Sequence, residues 1–567
     1  MGQEKLKNLQ AIGCFVASAI LLTVIQPPFN ISFLAWIALV PFVLGCLISK
    51  KTWPIVLFAY LISLVYWLGN LYWMILVTVP GGIAFCIYMA VYWPILAVCL
   101  RYCAQRRVPL WLTLPILVVG AEAFQGLCFR GFGWRYLGHS QYANITIIQI
   151  ADLFGAGGVS FLVAMVSGLI ADLVPATCGG VRPPRTAAAK FVGIILTIFV
   201  VIAVFFYGRY RINQSAGFLV EGPKIGVVQS NVPVVASKDS EPPETSFLNM
   251  LIDSRDCLQT AAPVMIIWPE TMVEAVLSDS YLKYASDDDA AKIFHNALLR
   301  HSSEGVYLLV GAFAGDAGKI DDKIELKTSY NTAFLYEPNQ PQRRQQYSKI
   351  HLVPFGEYIP FKDTLPFLNK FLIMLTPYDY DYTINAGREY TVFKMKADDK
   401  TYRFGVMICY EDTVPKIARK LTLDNSKTKQ VDWLVNISND GWFVSERKGK
   451  IKPTTELGQH TAICVFRAVE NRVPVVRSVN TGISCYIDSL GRIHNGYISG
   501  TIAKQAFDRV CQRGWFADRV LIDKRITIFS QTGQNLEITC GVCLIFTAFV
   551  SIYKNIKHNS KKQDVKL

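Results

Sequence analysis

The sequence predicts a polytopic α-helical membrane bundle of about eight spans that carries a layered α/β domain outside the cytoplasm, and three observations predict it. Of the 567 residues, 52% are hydrophobic and only 18% charged, which is too apolar for an ordinary water-soluble enzyme of this length. The apolar residues gather in long runs before about residue 208 and again near the C-terminus. Between them, residues 222–530 have the mixed composition of a globular domain, with short β-rich runs recurring along it.

A hydrocarbon core of ~30 Å needs about 20 helical residues to cross, and runs near 11–26, 31–48, 54–76, 82–100, 109–127, 156–174, 191–207 and 538–553 are the candidates. The first follows Lys5 and Lys7 as a signal peptide would, but it lacks a small-residue cleavage site and a second span follows closely, so it reads as an anchor. Lys- and Arg-rich loops stay in the cytoplasm. With the N-terminus inside, the cytoplasmic loops hold Lys50 and Lys51, then Arg101, Arg106 and Arg107, then Arg182, Arg185 and Lys190, while the outer loops 27–30 and 77–81 carry no charge. Arg209 and Arg211 run against this trend. The chain then divides into a membrane domain of seven spans (1–210), an outer domain (222–530), a final span (538–553) and a basic cytoplasmic tail (554–567).

The formal net charge of +14 comes largely from membrane-flanking loops and tails. It marks topology and attraction to anionic lipid rather than nucleic-acid binding. Five of the fourteen cysteines, Cys257, Cys409, Cys464, Cys485 and Cys511, belong to the outer domain, and five cannot all pair among themselves. No spacing suggests a zinc site.

Within the outer domain, continuous apolar runs at 224–229, 264–268, 306–313, 330–336, 403–408, 432–438, 474–480 and 482–488 predict strands covered on both faces, and 454–472 predicts a helix between them. Three strand ends carry reactive side chains. "VMIIWPET" leaves Glu270 just past a strand and a proline, as either a base with a raised pKa or an ordinary capping acid. "YSKIHLVPFGEYIPF" holds Lys349 in a loop stiffened by Pro354, Gly356 and Pro360, as either a fixed cation or a surface charge, with Glu357 as a second acid or the partner of the lysine. "FGVMICYEDT" ends an apolar run in Cys409 and follows it with Tyr410 and Glu411, so Cys409 is either a packed thiol or a nucleophile. His351 and His460 are candidates by proximity alone.

The ordered contexts of Glu270, Lys349 and Cys409 resemble the nitrilase superfamily, whose triad is Glu-Lys-Cys. Together with the spans and the strings "LVNISNDGWF" (434–443), "GQHTAICVFRAVENRVPVVRSVNTGIS" (458–484) and "RGFGWRYLGHSQ" (130–141), the whole chain is similar to the apolipoprotein N-acyltransferase family. The resemblance implies an α-β-β-α sandwich for the outer domain and gives the residues roles: Glu270 general base, Lys349 oxyanion stabiliser, Cys409 nucleophile, and Glu357, Tyr410 and Glu411 in support. It also implies a bacterial inner membrane protein whose catalytic domain faces the periplasm. Two departures stand out: no tryptophan follows in "QSNVPVVASKD" (229–239), and Gly133 replaces the proline of the membrane-domain motif.

The implied reaction is acyl transfer from a phospholipid, through a cysteine thioester, to the α-amine of a diacylated apolipoprotein, with no cofactor and no metal. The apolar segment 361–382 is expected to be either a lid over the acyl chains or a helix packed in the core. Two alternatives use the same sequence differently: a membrane-anchored amidase with water as the acceptor, and a transporter or receptor whose outer domain does no chemistry.

Overall fold

The computed structural model describes residues 2–175, 180–181, 185–234, 241–321, 323–338, 340, 344–359, 365–373, 383–447 and 450–564. The chain forms two compact units, one of residues 1–72, 82–212 and 534–567, the other of residues 73–81 and 213–533.

The first unit is helical. Among the described residues, six helices are long and apolar enough to cross a membrane, Gly2–Val24, Thr52–Asn70, Val79–Gln105, Ala151–Leu173, Ala187–Gly217 and Asn535–Lys554, and the segments Ser32–Leu47 and Leu110–Gln125 are apolar but shorter. All eight expected segments are thus helical, although the third ends at Asn70 rather than near 76, where a new short helix, Met74–Val77, belongs to the second unit. Several charges assigned to loops by sequence are interior groups here. Arg101 is buried and donates through Nη1 to the carbonyls of Cys46 and Ser49, Arg185 pairs with Asp172 at 2.8 Å, and Arg211 pairs with Asp152 at 2.7 Å. The last contact neutralises one of the two arginines that oppose the charge trend. In the loop containing Gly133, Gln125 Nε2 donates to the carbonyls of Phe132 and Trp134, whose rings stack at 5.5 Å.

The second unit is an α-β-β-α sandwich. One sheet has eight strands, in the order Ser499–Gly500, Gly514–Asp523, Leu219–Gln229, Met265–Ile267, Tyr307–Ala314, Tyr330–Tyr336, Gln345–Ser348, with Val273–Val276 paired beside Tyr307–Ala314. The other runs Cys485–Ile487, Val475–Asn480, Trp433–Asn439, Lys400–Ile408, Val392–Ala397. The period-two alternation of a strand sorts side chains between two layers. Ile225, Val227, Ile267 and Leu309 face the second sheet, where Phe404, Val406, Ile408, Val435 and Ile437 meet them. Their neighbours Val228, Ile266, Leu308 and Val310 face outward and pack under the helices Pro243–Ala261 and Ala290–Ser302 through Phe247, Met250, Phe294 and Leu298. The helices Pro415–Thr422 and Glu456–Asn471 cover the other face of the second sheet. Strands buried on both faces are why the runs are continuously apolar.

All eight expected runs contain strands, and the helix expected at 454–472 spans Glu456–Asn471. Of the apolar segment 361–382, Pro366–Ile373 is helical with Phe367 74% exposed, so that ring is not core packing; residues 361–364 and 374–382 and the side chain of Phe371 lie outside the described residues. Residues 235–239 of "QSNVPVVASKD" also lie outside them.

Candidate active site

Parallel strands end at a common edge, and chemistry gathers there because the loops that follow are free to vary. Leu219–Gln229, Met265–Ile267 and Tyr307–Ala314 are mutually parallel in one sheet; Lys400–Ile408, Trp433–Asn439 and Val475–Asn480 are parallel in the other. Glu270, Cys409 and the residues after Asn439 and Asn480 all follow such strand ends.

Glu270 is buried and held on both carboxylate oxygens. Its Oε1 accepts from Asn331 Nδ2 at 2.7 Å and from Lys349 Nζ at 3.3 Å, and its Oε2 accepts from the backbone N–H of Asn439 at 2.8 Å. The turn that carries it crosses directly over Gly311, where a Cβ would lie 2.6 Å from Glu270 Cα, Pro269 O and Thr271 N. Only glycine admits that crossing.

Lys349 is 1% exposed and lies between two carboxylates, donating to Glu357 Oε1 at 2.8 Å as well as to Glu270. Glu357 also accepts from Asn331 Nδ2 at 3.2 Å and, on Oε2, from Val353 N at 2.8 Å, which fixes the loop around the lysine. Burial alone would discharge the amine, but the flanking charges of Glu357 and Glu270 outweigh it and hold the ammonium well above the ordinary lysine range.

Cys409 opens a turn of 3₁₀ helix, Cys409–Thr413, with φ +52°, in the left-handed region that costs a non-glycine residue about 1–3 kcal/mol. A single fully buried Leu, Ile or Phe contributes ~1.5–3 kcal/mol, so the sandwich core outweighs that strain many times. The turn is tied down by Asn436, whose Nδ2 donates to the Cys409 carbonyl at 3.2 Å, and by Glu411. The buried Glu411 carboxylate accepts from Ile408 N at 2.8 Å, Ile350 N at 2.8 Å, His351 N at 3.0 Å and Tyr347 Oη at 2.9 Å, and so joins the cysteine turn to the lysine loop. Burial pushes Glu411 up to about 7 against the pull of these donors and of Lys349. The Tyr410 ring stacks on His351, centroids 5.9 Å apart.

The Cys409 thiol is pushed up by burial and by the charge of Glu270, and pulled back less strongly by Lys349 and His460. It is a neutral thiol at rest. Ionising it requires moving its proton to a base rather than losing it to water, which is the arrangement for a nucleophile activated only when an electrophile arrives.

Glu270, Lys349 and Glu357 therefore share one ion cluster, of which Glu270 and Lys349 act on Cys409, while Glu411 and Tyr410 hold the cysteine turn to the lysine loop. Sequence reasoning passed over Asn331, Asn436 and Asn439. Asn331 and Asn436 are amides inside runs that are otherwise apolar, Asn439 directly follows one, and a buried amide in a strand needs partners; that is the available signal. Among the described residues, Asp440, Glu456 and His460 bring three ligand-type atoms within 4.8 Å of one another, but the guanidinium of Arg477 stands beside them, 2.5 Å from Asp412 and 3.8 Å from Asp440.

Comparison with known proteins gives two family matches, the apolipoprotein N-acyltransferase N-terminal domain over residues 18–169 and the carbon-nitrogen hydrolase family over residues 250–509. The chain is 30% identical over 489 residues to the apolipoprotein N-acyltransferase of Geobacter metallireducens, covering 84% of this chain and 85% of the relative. It is 25% identical over 555 residues to apolipoprotein N-acyltransferase 1 of Treponema denticola, covering 94% and 93%. Among solved structures, a CN-hydrolase superfamily protein of Xanthomonas campestris is similar at 16% identity and a TM-score of 0.33, over 53% of this chain and 91% of that one.

Proposed function

The chain belongs to the apolipoprotein N-acyltransferase family, and on that premise we propose that it completes lipoprotein maturation by two acyl transfers at Cys409, with a phospholipid as donor and the N-terminal diacylglyceryl-cysteine of an apolipoprotein as acceptor. In the first transfer the Glu270 carboxylate takes the thiol proton and the Cys409 sulfur attacks the ester carbonyl carbon. The resulting oxyanion faces the Lys349 ammonium. Collapse breaks the ester C–O bond, the proton passes from Glu270 to the departing alkoxide, and lysophospholipid leaves behind a thioester. In the second transfer the α-amine attacks the thioester carbonyl, Glu270 accepts the amine proton, and the C–S bond breaks to give the amide and to regenerate the thiol. Glu357 keeps the lysine charged and placed, and Glu411 and Tyr410 hold the cysteine turn.

The single observation that carries the assignment is the buried Glu270–Lys349–Glu357 cluster, in which Glu270 and Lys349 act on the thiol of a left-handed cysteine. A packed structural thiol has no use for a base, a compensated cation and a strained backbone together. The loop charges support a placement in the bacterial inner membrane with residues 222–530 on the periplasmic side, residues 1–210 and 538–553 forming the membrane domain and residues 554–567 a cytoplasmic tail. The exposed Phe367 on Pro366–Ile373 supports an element that meets acyl chains.

Mass spectrometry of the purified chain incubated with phospholipid alone tests the reading. An acyl adduct on Cys409, lost in Cys409→Ala and discharged by a diacylglyceryl peptide, is the expected outcome. An adduct on Cys257, Cys464, Cys485 or Cys511 would overturn it, and discharge by water as fast as by the peptide would make the enzyme a hydrolase.

A further inference from the structure

A second buried cluster adjoins the cysteine turn and has no part in the reaction just described. It consists of Asp412 from the turn itself, Asp440 from the turn after Trp433–Asn439, Glu456 and His460 from the helix Glu456–Asn471, and Arg477 from Val475–Asn480, each at most 1% exposed. Both nitrogens of the His460 ring face carboxylate oxygens: Nε2 lies 2.7 Å from Asp412 Oδ1, while Nδ1 lies 3.3 Å from Asp440 Oδ1 and 3.4 Å from Glu456 Oε1. A neutral imidazole keeps a lone pair on one nitrogen, which would face the Asp412 carboxylate if it lay on Nε2 and the Asp440 carboxylate if it lay on Nδ1. A ring with a proton on each nitrogen donates from Nε2 to Asp412 and sets Nδ1 beside the Asp440 carboxylate at 3.3 Å, an ion-pair contact.

We propose that His460 is a standing imidazolium that positions the nucleophile: through Asp412 it pins the Cys409 turn, and its charge keeps the thiol within reach of Glu270 as a base. This rests on Cys409 being the nucleophile. The charges balance on that account, with His460 and Arg477 against Asp412 and Asp440, and with Glu456 left to hold a proton. Burial and the neighbouring Asp440 push Glu456 up to about 7, and Asp412, first among its charged neighbours, holds His460 well above the ordinary imidazole range although burial and Arg477 oppose it. The other titratable or charged groups beside the cluster are Arg467, whose Nη1 donates to the Asp412 carbonyl at 3.4 Å, Tyr410 of the cysteine turn, Cys464 of the same helix and Cys485 of the neighbouring strand.

The mechanical argument starts from φ. A left-handed Cys409 relaxes unless both flanks of its turn are held. Glu411 holds the turn toward the lysine loop, and Asp412, the next residue, holds it toward the helix and the strand behind, accepting from His460 and from Arg477 Nη1 at 2.5 Å. The electrostatic argument is that Asp440 raises the Cys409 thiol and His460 lowers it, so removing this cation takes away a pull that adds to that of Lys349.

The test uses full-length protein in lipid nanodiscs and follows alkylation of Cys409 by iodoacetamide against pH, read peptide by peptide, alongside formation of the acyl adduct. His460→Gln is expected to move the alkylation midpoint upward by about one pH unit, which is tenfold less thiolate at fixed pH, to slow adduct formation about as much, and to leave the KM for phospholipid unchanged. Adding Asp412→Asn in that background is expected to change the rate by less than the product of the two single effects, because the residues act as one unit. An unmoved midpoint in a His460→Gln protein of parental melting temperature overturns the proposal, as do multiplying effects. If His460→Gln does not fold, ¹⁵N-histidine spectra of the parent decide the matter: one imidazolium signal persisting at pH 8 supports the proposal, its absence overturns it, and stoichiometric bound zinc or manganese also overturns it by putting a metal where the proton should be. An adduct on another cysteine would instead defeat the nucleophile assignment, whatever His460 does.

Discussion

The backbone N–H of Asn439 donates to Oε2 of Glu270 at 2.8 Å, across 169 positions of sequence and from one sheet of the sandwich to the other. The proposed base is therefore aimed by the fold, because a main-chain donor at a strand end cannot rotate away as a side chain can. Asn331 and Lys349 hold the other oxygen, so the carboxylate has no rotamer to search when substrate arrives.

Glu270→Gln tests the base. The amide cannot take a proton, and adduct formation is expected to fall by about 10² to 10⁴, the usual worth of a positioned general base. Whichever way the amide lies, its NH₂ meets Asn439 N–H or the Lys349 and Asn331 donors, so about 1–3 kcal/mol of stability should be lost as well. Adduct yield by mass spectrometry must therefore be normalised to folded protein; an unchanged rate would remove Glu270 from the chemistry.

Lys349→Met separates charge from structure. A solvated lysine would be dispensable to folding, but this one compensates two buried carboxylates, and stripping one partner from a buried ion cluster costs about 3–5 kcal/mol. The melting temperature should drop sharply. Adding Glu357→Gln removes one orphaned charge and should restore part of the stability, while the rate stays down by about 10² to 10³ for want of the oxyanion cation. Recovery of activity along with stability would mean that the lysine serves the fold alone.

The residues of the proposed triad were legible in the sequence because each ends or follows a run that is visibly apolar, and the spans because their length is set by the bilayer. Other features depend on which segments meet. Gly311 looks like one more small residue in "VYLLVGAF" until the Glu270 turn is seen to cross it. Val392–Ala397 was not among the expected strands because its outer face is polar, with Lys394 and Lys396 outward and Phe393 and Met395 buried, so it alternates where a fully covered strand would not. Loop charge counting treats Arg101 as free when it is in fact bonded to buried carbonyls, a distinction no charge count contains.

Topology is open to direct measurement. Reporter fusions or thiol labelling should place residue 300 outside the cytoplasm and both termini inside, as the remaining loop lysines and arginines require. A cytoplasmic signal at residue 300 would reverse the orientation proposed for the catalytic domain.

Glu411 makes stability depend on pH in a predictable direction. Burial raises its pKa from 4.5 to about 7, so between those values the folded carboxyl holds a proton that the unfolded one has released. Stability should therefore fall as pH rises through that window and level off above about 7. Glu411→Gln is neutral at every pH and should flatten this slope, while starting from a lower melting temperature because its NH₂ faces the Ile408 N–H. Melting curves from pH 4.5 to 8 check it: equal slopes in parent and variant would mean that Glu411 is ionised throughout.

Gly311→Ala places one methyl group where three backbone atoms, Glu270 Cα, Pro269 O and Thr271 N, already stand 2.6 Å away. None of them is the far end of a flexible side chain, so the turn must move as a body, and overpacking of this kind costs about 1–3 kcal/mol. The displacement falls on Glu270, the proposed base. A shift of about 1 Å in a reacting group is enough to lose around 10² in rate, so the variant should fold, melt a few degrees lower, and form the Cys409 adduct about a hundredfold more slowly. Alkylation of Cys409 by iodoacetamide at high pH, where no base is needed, should remain near the parental rate. Slow alkylation there would show that the methyl group had disturbed the cysteine turn as well, and the loss could no longer be assigned to the position of Glu270.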